Sequence, residues 1–129
     1  MKKLILILLS ALMFTGCAGT SNHQRNTYRS IAMDEAVTMM GQENGYIILD
    51  VRRPDEYAAG HIPNAINVPN ESIGTDEIPE LPDKNQLIMV YCRSGRRSKE
   101  ASAKLVKLGY TNIVEFGGIL DWKGDIISE

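Results

Sequence analysis

The chain has 129 residues, of which 43% are apolar and 23% are charged, and its formal net charge is −2. This length fits one globular domain with its own hydrophobic core. The 14 basic residues are balanced by 16 acidic ones, so the charge predicts no nucleic-acid partner. The two cysteines are too few to form a disulfide framework.

The N-terminus has the pattern of a secretory signal. Residues 1–3 form a short cationic segment, and residues 4–14 form an apolar run that only Ser10 interrupts. This run is too short to cross a membrane, which takes about 20 apolar residues, and it fits the hydrophobic core of a signal peptide. We therefore expect the protein to be exported.

Residues 14–17, Phe-Thr-Gly-Cys, resemble the lipobox of bacterial lipoproteins. The resemblance implies that residues 1–16 are a lipoprotein signal peptide and that Cys17 is acylated. Residues 17–27 are then the lipidated cysteine and a flexible polar tether. A thioether-linked lipid with further acylation supplies more than one chain, which is enough for stable anchoring. We expect the protein to be attached to a bacterial membrane and to face the periplasm or the cell exterior.

The remaining residues, 28–129, are predicted to form the folded domain. In the segment 33–40, apolar residues recur with the spacing of one helix face. Residues 46–51 (YIILDV) are typical of a strand that is buried on both faces. Pro54 then opens a short helical turn, and residues 62–68 predict a weaker strand. A turn-rich surface connection follows.

Three further elements are predicted in the second half of the domain. Residues 87–91 (LIMVY) form a fully apolar strand, residues 98–108 an amphipathic helix, and residues 113–116 another central strand. The alternation of strands and helices predicts a single α/β domain, with a central, mostly parallel sheet and helices on both faces. Ligands of such sheets bind at the carboxyl ends of the strands, so reactive residues are expected there.

Cys92 directly follows one of these apolar strands and precedes a helix. A helix N-terminus and nearby arginines stabilise a thiolate, and Gly95 allows the backbone to turn its N–H groups inward around an anion. A small buried cysteine is the alternative, but it would have no use for three neighbouring arginines. Cys92 is the candidate nucleophile. The candidate anion-binding loop consists of Arg93, Ser94, Gly95, Arg96, Arg97 and Ser98.

Four sequence blocks resemble one known family. They are LDVR at residues 49–52, EYAAGHIPNAINVP at 56–69, YCRSGRRS at 91–98 and GGILDW at 117–122. In this order and spacing they resemble a single-domain rhodanese, a thiosulfate sulfurtransferase. The resemblance implies that Cys92 takes a sulfane sulfur from a small anion such as thiosulfate and holds it as a persulfide. The acceptor is a thiol, cyanide or a protein thiol, and no metal or organic cofactor is implied.

The resemblance also implies roles for the neighbouring residues. Arg96 or Arg97 attracts the anionic donor, whereas Arg93 points outward. Asp50 and Arg52 are candidate supporting residues, which either lie near the site or form an ion pair that shapes the loop.

The sequence leaves other functions open. A binding module or slow persulfide carrier with the same fold is one alternative. Phosphatases and arsenate reductases of related fold carry an arginine six positions after the cysteine, where this chain has Ser98. The loop therefore favours sulfur over phosphate. A disulfide oxidoreductase is disfavoured because Cys92 has no partner in a C-x-x-C pattern.

Glu56 and His61 match a family signature that we interpret as structural, because it fixes the Gly-His-Ile-Pro turn.

Overall fold

The computed structural model describes residues 27–129, so the predicted signal peptide, Cys17 and nearly all of the tether lie outside the described residues. No helix in this described part of the chain is long and apolar enough to cross a membrane. The elements in chain order are β1 (Arg29–Ser30), α1 (Met33–Gln42), β2 (Ile47–Asp50), α2 (Pro54–Ala59), β3 (Ile66–Asn67), β4 (Ile88–Cys92), α3 (Arg96–Lys107) and β5 (Ile113–Gly118). Short 3-10 helices lie at Asn70–Ser72 and Ile119–Asp121.

The five strands form one sheet in the order β1-β5-β4-β2-β3, and each neighbouring pair is parallel. The predicted α/β fold is therefore confirmed. All five residues of β4 are buried at the centre of the sheet, which explains why this segment is apolar apart from the Tyr91 hydroxyl. β1 was not predicted, because its two residues are polar and exposed and it forms only by pairing with β5.

Two hydrophobic cores cover the two faces of the sheet. Ala101 and Leu105 of α3 pack with one set of strand residues, which includes Val90. Ala36 of α1 packs with the other set, which includes Met89. Successive residues of a strand point to opposite faces, so the apolar run of β4 supplies both cores. The predicted placement of helices on both faces is confirmed.

Most predicted boundaries differ from the structure by one or two residues, and two of the differences have a local cause. α3 begins at Arg96, two residues before the predicted start, because Gly95 adopts a left-handed conformation with φ 119° and caps the helix. The weak strand predicted at residues 62–68 is shorter, since only Ile66–Asn67 pairs with β2. The N–H of Ile62 instead donates to the hydroxyl of Tyr91, at 3.1 Å. The earlier start of α3 brings two arginines into its first turn.

Candidate active site

Cys92 ends β4 and lies against the turn that begins α3. The residue is only 1% exposed. The N–H of Gly95 donates to the Cys92 sulfur, with 3.0 Å between nitrogen and Sγ. The left-handed φ of Gly95 is a conformation that residues with side chains disfavour. The turn thus directs a backbone amide at the sulfur, an arrangement that stabilises a thiolate or an anionic sulfur attached to it.

The loop that follows Cys92 rests on the end of β5. The carbonyl of Arg93 accepts a hydrogen bond from the N–H of Leu120 at 3.3 Å. A side chain at Gly118 would collide with the backbone of Arg93 and Ser94. A register shift between β4 and β5 also falls at this point, just before Cys92. The second glycine of the Gly-Gly pair therefore allows the loop to approach the sheet closely.

An open, mainly cationic pocket adjoins the sulfur. Its lining contains four arginines against two glutamates, so it attracts small anions. Among residues 27–129, no group of three or more His, Cys, Asp or Glu side chains is arranged to hold a metal ion. The pocket is lined by Arg53, Glu56, Glu71, Cys92, Arg93, Ser94, Arg96 and Arg97.

The arginines of the loop differ in how far their charge is already paired. Arg97 donates to both carboxylate oxygens of Glu56, at 2.6 and 3.0 Å, and this hydrogen bonding lowers the pKa of Glu56 to about 2. Arg96 pairs with Glu100 at 2.7 Å. Arg93 is exposed and takes part in none of the ion pairs found in the described part of the chain. The unpaired loop charge therefore lies on Arg93, the residue that was expected to point away.

Glu56 belongs to the pocket, although we interpreted it from the sequence as structural. It lies on α2, 41 residues before Arg97, so no local pattern indicates their contact. The environment of His61 is different from that of Glu56. Its ring is buried, stacks on Tyr57 with 3.8 Å between ring centres, and places Nδ1 2.9 Å from the Tyr57 carbonyl. These contacts agree with a structural role for His61.

Asp50 and Arg52 form a closed ion pair at the end of β2. Arg52 Nη2 lies 2.7 Å from Asp50 Oδ2 and also donates to the carbonyl of Gly60. The hydroxyl of Tyr91 donates to the same carboxylate, and burial, helped by this carboxylate, raises the pKa of Tyr91. Asp50 is 0% exposed, and neither Asp50 nor Arg52 lines the pocket beside Cys92. The two residues form the ion pair that was one of the two expectations, and its hydrogen bond to Gly60 holds the turn after β2.

Ser98 lies behind the loop and not in the pocket. It is 0% exposed, and its hydroxyl lies 2.9 Å from the Gly95 carbonyl and 2.7 Å from Glu115 Oε1. The hydroxyl is therefore engaged inside the protein. The sequence pointed to the loop but not to Glu115, whose only local signal is an acidic residue within an apolar strand.

The chain is similar to proteins of one family. A family model described as a rhodanese-like domain matches residues 32–125. Thiosulfate sulfurtransferase PspE of Escherichia coli is 38% identical over 73 residues, which cover 57% of this chain and 70% of that protein. Thiosulfate:glutathione sulfurtransferase of Saccharomyces cerevisiae is 32% identical over 123 residues, covering 81% and 86%. A solved structure described as rhodanese with anions from E. coli aligns with a TM-score of 0.60 at 33% identity, covering 65% of this chain and 99% of that one.

Proposed function

This chain belongs to the rhodanese-like domain family, and from that premise we propose that it transfers a sulfane sulfur from thiosulfate, or a similar small anion, through a persulfide on Cys92. The observation that carries the proposal is the Gly95 amide, 3.0 Å from the Cys92 sulfur, beside a pocket lined by four arginines. Sulfurtransferases among the relatives support the general reaction class.

The reaction consists of two displacements at sulfur. The Cys92 thiolate attacks the outer sulfur of thiosulfate, the S–S bond of the donor breaks, and sulfite leaves with the electron pair. A thiolate or cyanide then attacks the terminal sulfur of the persulfide, and the Cys92 thiolate is released. The terminal sulfur of the intermediate is anionic, so the Gly95 N–H and the amides at the start of α3 stabilise it.

The pocket suits an anionic donor that is small enough to reach a nearly buried sulfur. Arg93 is the loop arginine without a carboxylate partner in the described residues, so its charge is free to attract a donor dianion. Phosphoryl chemistry is disfavoured, because the sixth position after the cysteine is Ser98 and its hydroxyl is already engaged by Glu115. The arrangement therefore favours sulfur transfer.

A persulfide carrier with slow turnover is the second candidate function. One observation favours it: Glu56 already occupies the guanidinium of Arg97. This pairing leaves less positive charge in the pocket to attract a small anionic acceptor to a loaded sulfur. Such a carrier would deliver its sulfur to a protein thiol that docks over the loop.

Mass spectrometry of residues 18–129, in which Cys92 is the single cysteine, tests the proposal when the protein is purified without a reducing agent. Incubation with thiosulfate is expected to add about 32 Da, one sulfur atom, to wild type and nothing to Cys92→Ser. Wild type without this adduct after exposure to thiosulfate contradicts the proposal. Rapid formation of thiocyanate from cyanide supports the enzyme, whereas loading with negligible turnover on cyanide and glutathione supports the carrier.

We also propose that Cys17 carries lipid and that the domain is exported to a membrane surface. The support is the sequence of residues 1–17, which lie outside the described residues. In bacteria that express the full chain and are fed radioactive palmitate, wild type is expected to be labelled and to sediment with membranes. Cys17→Ser is expected to lose the label. A labelled Cys17→Ser variant, or an unlabelled wild type, contradicts this proposal.

A further inference from the structure

Glu115 is a buried carboxylate on β5 that the sulfur chemistry described above does not use. The residue is 2% exposed and accepts three hydrogen bonds of 2.7 Å each. The Ser98 hydroxyl and the Gly117 N–H donate to Oε1, and the Ser30 hydroxyl donates to Oε2. A buried carboxylate costs free energy unless hydrogen bonds compensate it, and the two donors to Oε1, Ser98 and Gly117, are the ones that hold Glu115 beside the Cys92 loop.

These hydrogen bonds connect Glu115 to the Cys92 loop. Ser98 lies in the first turn of α3, and its hydroxyl is also 2.9 Å from the carbonyl of Gly95. Gly95 is the residue whose N–H donates to the Cys92 sulfur. A chain of contacts therefore runs from the carboxylate through Ser98 and Gly95 to the sulfur.

The same carboxylate oxygen also holds the strand on which the loop rests. Oε1 accepts the N–H of Gly117, and the next residue, Gly118, lies directly against the backbone of Arg93 and Ser94. One oxygen atom thus fixes the start of α3 relative to the end of β5. The loop enters α3 and packs against the end of β5, so its geometry depends on how these two segments lie relative to each other.

We propose that Glu115 is a positioning residue for sulfur transfer, which sets the alignment of the Gly95 amide with the Cys92 sulfur through Ser98 and Gly117. The inference rests on the proposed function, because the aligned amide acts on the thiolate and the persulfide. Glu115 neither hydrogen-bonds the sulfur nor lines the pocket, so it acts through other residues.

The test compares Glu115→Ala and Glu115→Gln with the matched control Ser30→Ala. Ser30→Ala removes one hydrogen bond from the same carboxylate on the side away from the loop. Each variant is assayed for kcat and KM with thiosulfate and cyanide. Each is also assayed for the rate at which iodoacetamide alkylates Cys92, which requires no sulfur donor. Thermal unfolding is recorded for every variant.

Glu115→Ala is expected to lower kcat about tenfold and the alkylation rate several-fold, while KM for thiosulfate changes less than about twofold. The misaligned amide no longer stabilises the anionic sulfur, whereas the pocket arginines still bind the donor. Ser30→Ala is expected to keep kcat within about twofold of wild type. Glu115→Gln is expected to recover kcat to within about threefold, because its amide oxygen can accept from Ser98 and Gly117 while its NH₂ donates to Ser30.

If Glu115→Ala keeps the kcat and the alkylation rate of wild type, even with lowered thermal stability, the role of Glu115 is purely structural and the proposal is overturned. A Glu115→Gln variant whose kcat is as low as that of Glu115→Ala also overturns it. If Glu115→Ala does not fold, Ser98→Ala replaces it, and a wild-type kcat in that variant also overturns the proposal. If wild type takes no sulfur from thiosulfate, the proposed function fails, but the alkylation rates still decide the role of Glu115.

Discussion

The strands β2 and β4 are neighbours that end at the same edge of the sheet, and both are followed by charged residues, but the two ends differ in how their polar groups are paired. At the end of β2, Asp50 and Arg52 are buried and bind each other, Tyr91 and a backbone carbonyl. At the end of β4, Cys92 accepts a hydrogen bond from a backbone amide, and the nearby Arg93 has no carboxylate partner in the described residues.

The difference shows that charge at the end of a buried strand does not by itself indicate chemistry. A buried pair that satisfies its own hydrogen bonds serves the fold, because losing one member leaves the other uncompensated. A reactive site instead keeps groups that a substrate can still engage. We therefore expect substitutions after β2 to change stability and substitutions after β4 to change activity.

Replacement of Cys92 should give the largest effect on activity. Cys92→Ser is expected to reduce thiocyanate formation by about 10³-fold or more, since the part of the chain that the structure describes contains no other cysteine. The free energy of unfolding should change by only about 1 kcal/mol, because the serine hydroxyl can still accept the Gly95 N–H. Steady-state assays and urea denaturation measure the two quantities. Substantial residual turnover in pure Cys92→Ser would show that another residue is the nucleophile.

Replacement of Asp50 should give the largest effect on stability. Asp50→Ala is expected to lower the free energy of unfolding by about 3–5 kcal/mol, because Arg52 is left buried without its carboxylate and Tyr91 loses an acceptor. Activity per folded molecule should fall less than about tenfold, as Asp50 does not line the pocket. Urea denaturation measures the loss.

Asp55→Ala is the matched control for that variant. Asp55 pairs with Arg53 on the surface, where its side chain is 70% exposed, so its loss should leave the free energy of unfolding almost unchanged. An Asp50→Ala protein that is as stable as wild type but inactive would place Asp50 in the chemistry and remove the distinction between the two strand ends.

The order of these elements could be predicted from the sequence, because a strand buried on both faces must be apolar throughout. Residues 88–91 supply both cores and contain no polar interruption except the Tyr91 hydroxyl, which is satisfied by Asp50. β1 lacks any such signal, because its two exposed polar residues become a strand only when β5 is present beside them.

The candidate site could be predicted only where its residues are consecutive. Cys92 and the loop after it are adjacent in the chain, so their pattern is visible. The pairing of Glu56 with Arg97 joins residues 41 positions apart, and that of Ser30 with Glu115 joins residues 85 apart. The first pair depends on how the helices pack and the second on the pairing of β1 with β5, and no local sequence pattern shows either.

The ion pair between Glu56 and Arg97 allows a pH test of the pocket. Arg97 lowers the pKa of Glu56 from 4.5 to about 2, so the pair stabilises the folded protein above about pH 4.5 and this contribution is lost as the pH falls from 4.5 to 2. For a pair at the surface of a pocket we expect a loss of about 1 kcal/mol. Between pH 4.5 and pH 2, the free energy of unfolding should therefore fall by about 1 kcal/mol less in Glu56→Gln than in wild type. Parallel curves for variant and wild type would show that the pair contributes nothing to stability.

The smallest expected effect tests whether an arginine without a carboxylate partner distinguishes the Cys92 loop from the end of β2. Arg93→Ala is expected to raise KM for thiosulfate about threefold with little change in kcat, and the effect should shrink in high salt because the side chain is exposed. Arg96→Ala removes the same charge from the same pocket, but Glu100 already pairs with it, so its KM should rise less. A larger rise for Arg96→Ala than for Arg93→Ala would mean that the donor displaces a carboxylate from its arginine. The ends of β2 and β4 would then differ because the donor can displace the carboxylate of an ion pair after β4, and not because an arginine there has no partner.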